Sequence, residues 1–136
     1  MTGSPRGAVH HIELWVPDLG RAAPSWGWLL EELGYRPFQE WGDGRSWRLG
    51  ATYVVLEQSP DLLPGPHERT RAGLNHLAFH GGTTGEVDAL VAAAPARGWV
   101  LLFPDRHPHA GGPDSYAAYL ADADGYEVEI VATTPG

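Results

Sequence analysis

Two short stretches of this 136-residue chain carry histidines where a plain strand would bury apolar side chains. The first is AVHHIELWVPDL, residues 8–19, with His10, His11 and Glu13. The second, GLNHLAFHG at residues 73–81, begins 65 residues later and has His76 at the matching place. Imidazoles at the entry of two similar segments can hydrogen-bond, carry protons or ligate a metal. The chain has no cysteine, which excludes disulfides, thiolate nucleophiles and Cys-ligated zinc or iron–sulfur centres. Any metal must be held by His, Asp or Glu, and such a donor set favours hard and borderline divalent cations.

Composition narrows the partners. The formal charge is −8, with only nine Lys and Arg, so clustered phosphate contacts to nucleic acid are not expected. No apolar run approaches the ~18 residues of a membrane span, and MTGSPRGAV has no apolar signal core. The expectation is a cytoplasmic protein with a small-molecule partner, no nucleic acid and no membrane. Its length suits one domain with a sizeable core.

The elements that must position the histidines follow from hydrophobic spacing. Residues 9–16 alternate as a strand, with His11, Glu13 and Trp15 on one face and His10, Ile12, Leu14 and Val16 on the other. PDLGRAAPSWGWLLEELGY then reads as a helix, with Gly34 as its C-terminal cap and Pro24 in an early turn. YRPFQEW, a GDG turn, RSWRLG and TYVVLEQ read as three antiparallel strands. After a proline-rich linker the plan recurs: LNHLAFHG, a helix capped by Thr83 or Thr84, WVLLFP, a loop, SYAAYLAD and GYEVEIVA. This predicts a first βαβββ module at 8–58, a linker at 59–72 and a second module at 73–133, together one structural domain.

HHIELWVPDL, NHLAFHG and the closing DADGYEVEIV, set in paired βαβββ modules, resemble the vicinal oxygen chelate superfamily of glyoxalases, bleomycin resistance proteins and extradiol dioxygenases. The resemblance spans about residues 8–133. It implies an α+β fold in which the two modules form a cup-shaped mixed β-sheet around one divalent metal ion (Ni, Zn, Co, Mn or Fe(II)), and a homodimer. Carried over to this chain, the family's metal ligands fall on His11, Glu57, His76 and Glu129. The His-to-Glu spacing is 46 residues in the first half and 53 in the second. His10, on the opposite face by parity, is not among them.

The function implied is that of a metal-dependent, glyoxalase-like enzyme with isomerase or lyase chemistry. It would act through an enediolate on a small molecule with two adjacent oxygens, with Glu129 or Glu57 as base. Trp15 stands where bacterial glyoxalase I has an arginine for glutathione, so a glutathione adduct is not the expected substrate. Trp15, Trp41 and Trp47 suit a flatter or more apolar ligand, and Glu13, Trp15 and Trp47 are the expected substrate-pocket residues. One alternative is an extradiol-type Fe(II) dioxygenase. In it Tyr119, ten residues before Glu129, and His109, ten before Tyr119, are catalytic. The other alternative is an antibiotic-binding or antibiotic-modifying resistance protein, in keeping with the acidic charge and six tryptophans.

Overall fold

The structure is a computed structural model and describes residues 3–133. The chain divides into two compact units, Met1–Gly65 and Pro66–Gly136. The boundary therefore falls inside the expected linker, and the linker's second half belongs to the second unit.

In the first unit, β1 (His11–Trp15) leads into α1 (Leu19–Glu32), followed by β2 (Arg36–Trp41), β3 (Gly44–Leu49) and β4 (Thr52–Glu57). The sheet order is β1-β4-β3-β2, with β1 parallel to β4 and the other pairs antiparallel. Asp18 caps α1 by accepting the Arg21 N–H. Gly34, at φ +98, ends it, with Gly34 N–H to Glu31 O and Tyr35 N–H to Leu30 O closing a Schellman motif. Pro24 lies inside the helix, where an interior proline costs about 3 kcal/mol. Burial of Trp26, Leu29 and Leu30, at roughly 2 kcal/mol each, outweighs that. These side chains cover the sheet face that presents Leu14, Val54 and Leu56.

The second unit repeats the plan with β5 (Leu77–Gly82), α2 (Thr84–Ala93), a short 3-10 helix (Ala94–Arg97), β6 (Val100–Leu101), β7 (Ala117–Ala121) and β8 (Glu127–Ala132). Its sheet order is β5-β8-β7-β6, again with the first pair parallel. Thr83 and Glu86 form a reciprocal capping box at the start of α2. Val87, Leu90, Trp99, Leu120, Val128 and Ile130 make the core. Both units are thus βαβββ modules with one sheet face under a helix and the other carrying the polar residues. Among the described residues no helix is long and apolar enough to cross a membrane.

Candidate active site

In the second unit, Glu129 lies in β8 on the face turned away from α2, because Val128 and Ile130 take the core side. The β7 register puts Tyr119 directly opposite it, and the Tyr119 hydroxyl donates to its carboxylate. On the other flank β5 pairs Ala78 with Glu129. His76, two residues earlier and just before the strand, reaches across so that its Nε2 lies 3.2 Å from Glu129 Oε1. The His76 and Tyr119 rings meet edge to face at 5.9 Å. Burial, together with the accepting Glu129 carboxylate, holds the Tyr119 phenol above the ordinary tyrosine value, so it stays a neutral donor.

The surroundings fix this group. Asn75 Oδ1 lies 2.6 Å from His76 Nδ1, and Asn75 Nδ2 donates to the Arg69 carbonyl at 3.1 Å. The Arg69 guanidinium sits 3.1 Å from Glu127, a carboxylate only 3% exposed, and 5.9 Å above the Phe103 ring. The Arg69–Glu127 contact is an ion pair outside hydrogen-bond alignment, since that carboxylate oxygen finds no hydrogen-bond donor among the described residues. Phe103 holds φ +52, a conformation that costs about 1–3 kcal/mol outside glycine, and stacks its edge against Tyr119.

In the first unit the polar face of the sheet carries His11, Glu13 and Trp15 from β1 beside Tyr53, Val55 and Glu57 from β4. His11 stacks on Tyr53, 4.8 Å between centroids and 5° between planes. Trp15 Nε1 donates to Glu13 at 2.6 Å, and Trp41 Nε1 to Glu57 at 3.3 Å. Trp15, Glu57, Gly44 and Trp41 form one row across four strands. The Trp41 indole lies on Gly44, where any Cβ would collide with it.

Three sequence expectations change here. Glu57 is not the register counterpart of Glu129. Glu129 pairs with the residue two past His76, whereas the residue two past His11 is Glu13, and its partner is Val55. Glu57 lies opposite Trp15, one strand repeat further on. Trp47 does not share a face with Glu13 and Trp15: it is 6% exposed and on the core side, where it lines a pocket with Glu31, Pro37 and Phe38. A Cβ on Gly27 of α1 would lie 3.0 Å from its ring, and its Nε1 donates to Glu31 of the same helix. His10 does not point away from His11, because the strand starts only at His11 and parity does not reach back. The two Nδ1 atoms are 2.9 Å apart, and the His10 ring also meets Tyr53.

His109 stands apart from Tyr119. It bonds Ser115 O through Nδ1 at 2.7 Å and lies edge-on to Tyr116, with no hydrogen bond or ring contact to Tyr119 among the described residues. The Tyr116 hydroxyl donates to Asp88, which raises its ionisation above the ordinary value. Asn75, Arg69 and Tyr53 were not among the expected site residues. Asn75 carried one legible signal, an amide immediately before a candidate ligand histidine.

Among the described residues no three His, Asp or Glu side chains gather into a group that could hold a metal ion. The His76–Glu129 pair does fit one as two of its ligands. Donor atoms in adjacent positions, each about 2.0–2.2 Å from a metal, are separated by about 3 Å, close to the 3.2 Å found.

Comparison with known proteins agrees with this architecture. A family model described as the glyoxalase/bleomycin resistance protein/dioxygenase superfamily matches residues 10–119. The uncharacterized protein YqjT of Bacillus subtilis is 44% identical over 125 residues, covering 91% of this chain and 98% of that protein. The crystal structure of a candidate glyoxalase from Bacillus halodurans superposes with a TM-score of 0.89 at 43% identity, covering 94% of this chain and 97% of that one. At the level of fold alone, a fosfomycin resistance protein from Listeria monocytogenes matches with a TM-score of 0.64 and 18% identity, over 94% and 91% of the two chains. That structure was solved with manganese(II) and 1S,2S-dihydroxypropylphosphonic acid.

Proposed function

The chain belongs to the glyoxalase/bleomycin resistance protein/dioxygenase superfamily, and from that premise we propose that it is a metal-dependent, glyoxalase-like enzyme acting on a small molecule with two adjacent oxygens. The observation that carries this reading is the His76–Glu129 pair, 3.2 Å apart and backed by the Tyr119 hydroxyl. His76 and Glu129 are the proposed metal-holding residues of the second unit. A divalent ion, when bound, would act as a Lewis acid toward the substrate oxygens.

The protein's own groups then have distinct tasks. Glu129 is the proposed base, able to take a proton from a substrate carbon at whichever carboxylate oxygen is left open. Tyr119, held neutral, keeps that carboxylate in place by donating to it. In the first unit the Trp15 and Trp41 indoles, each 36% exposed, present flat apolar surface. Support for an ion comes also from the manganese(II) in the Listeria protein of the same fold.

Elemental analysis of untagged protein tests the reading. Wild type should carry near one divalent ion per chain, and His76→Ala should lose it. No metal in either protein, even after reloading, would overturn it.

Two observations favour a second reading, a ring-cleaving Fe(II) dioxygenase. In the first unit Val55, not a carboxylate, holds the register place that Glu129 holds in the second. Tyr119 also stands against both His76 and Glu129. Dioxygen uptake with catechols, lost in Tyr119→Phe, would select this reading; proton exchange with solvent under anaerobic conditions would select the first.

A further inference from the structure

We infer that Asn75 is a positioning residue: it holds the His76 imidazole in its Nδ1–H form, so that Nε2, the nitrogen facing Glu129, keeps its lone pair for a cation. Asn75 Nδ2 donates to the Arg69 carbonyl at 3.1 Å, which fixes Oδ1 as the atom 2.6 Å from His76 Nδ1. An amide oxygen only accepts, so the hydrogen of that short contact belongs to the histidine. A neutral imidazole has a single N–H, and Nε2 is then an acceptor.

That acceptor faces another one, Glu129 Oε1 at 3.2 Å. Two acceptors hold this separation when a proton or a metal ion lies between them. The opposite tautomer would place the Nδ1 lone pair against Asn75 Oδ1. Flipping the amide to relieve this would turn Oδ1 onto the Arg69 carbonyl, again acceptor on acceptor. The reference carbonyl is itself fixed, because the Arg69 side chain is tied to buried Glu127 and lies over Phe103. A residue just outside the strand, held by the linker, thus selects which nitrogen His76 presents, as metal-ligating histidines require of their outer partner.

The purpose assigned to Asn75 rests on the metal reading above, but the tautomer is a property of the metal-free chain. This separates the two in one experiment. Metal-free wild type, Asn75→Leu and Asn75→Asp are labelled with ¹⁵N-histidine and examined by long-range ¹H–¹⁵N spectra at about pH 8.5, where ordinary imidazoles are neutral. The His76 signals are identified by their absence in His76→Ala. Each protein is then titrated with Co²⁺.

Wild type and Asn75→Asp should show the Nδ1–H form, since a carboxylate still accepts from Nδ1. Asn75→Leu should move toward Nε2–H, which can donate to Glu129, and its Co²⁺ affinity should fall about 10–100-fold. Asn75→Asp should stay within a few-fold of wild type, a rescue that a merely space-filling role would not produce. The inference is overturned if metal-free wild type carries Nε2–H, or if Asn75→Leu keeps both the Nδ1–H form and wild-type affinity. An Nδ1–H form in wild type that Asn75→Leu loses, with no Co²⁺ bound by either, would uphold Asn75's role and overturn the metal reading.

Discussion

At the scale of single residues, the two glutamates that the repeat pairs have different neighbours. Glu129 has His76 on one side and Tyr119 on the other, while Glu57 accepts from the Trp41 indole and lies opposite Trp15. Glu57→Gln should leave divalent-metal affinity within a few-fold of wild type, because it leaves the His76–Glu129 pair unchanged. Glu129→Gln should weaken it at least tenfold, since metal binding needs a deprotonated carboxylate. Calorimetric titration of both variants decides between them, and equal losses would restore Glu57 to the ligand set. The histidines and Glu129 were legible as donor types with the right spacing. Asn75 was not, because its role depends on where the Arg69 carbonyl lies.

At the scale of elements, the closing motif DADGY is chiefly architectural. Asp122 Oδ1 accepts the N–H groups of Asp124 and Tyr126, shaping the turn between β7 and β8. The linker docks on this turn: His67 N–H donates to Asp124 O, and its ring stacks on Tyr126 at 4.2 Å and 5°. Gly125 permits that approach. It sits at φ +93, and a Cβ there would collide with the His67 carbonyl, a backbone atom that cannot rotate away. Gly125→Ala should therefore destabilise the protein by about 1–3 kcal/mol, combining positive-φ strain with a lost close contact. Chemical denaturation measures this, and an unchanged midpoint would show that the linker is not anchored there. Most strands, both helices and the Gly34 cap could be read from local spacing, with the second cap narrowed to Thr83 or Thr84; of the WVLLFP strand only Val100–Leu101 forms. Trp47 was grouped with Glu13 and Trp15 because alternation alone does not say which face α1 covers; Gly27 on that helix makes the room.

At the scale of the whole molecule, composition and burial together set the alkaline limit of stability. The chain has neither lysine nor cysteine, so tyrosines dominate side-chain titration near pH 10. Burial raises the phenols of Tyr35, Tyr119 and Tyr126 above their ordinary value, with the neighbouring carboxylates adding to it for the latter two. The unfolded chain releases these protons near pH 10, whereas the folded one retains them to higher pH. Above that point the unfolded state binds fewer protons, so stability falls as pH rises. The contribution should be complete below about pH 10 and disappear as pH passes the raised folded values. Urea midpoints near pH 8, 10 and 11 report it, and a midpoint that does not drop would contradict the burial of these phenols.

Sequence alone determined the βαβββ plan, its repetition, the family resemblance and the sulfur-free donor types, because periodicity, capping and composition act over a few residues. Only tertiary structure decided which donors meet. The pairing of β1 with β4, some forty residues apart, sets the register that gives Val55 the place expected of a ligand and moves Glu57 beside Trp15. The same kind of long-range pairing brings Glu129 to His76 and Tyr119, and the docked linker aims the Asn75 amide. Cross-strand register depends on loops whose lengths differ between the two halves. Spacing along the chain therefore names the residue types at the site, and hydrogen bonding between distant strands selects among them.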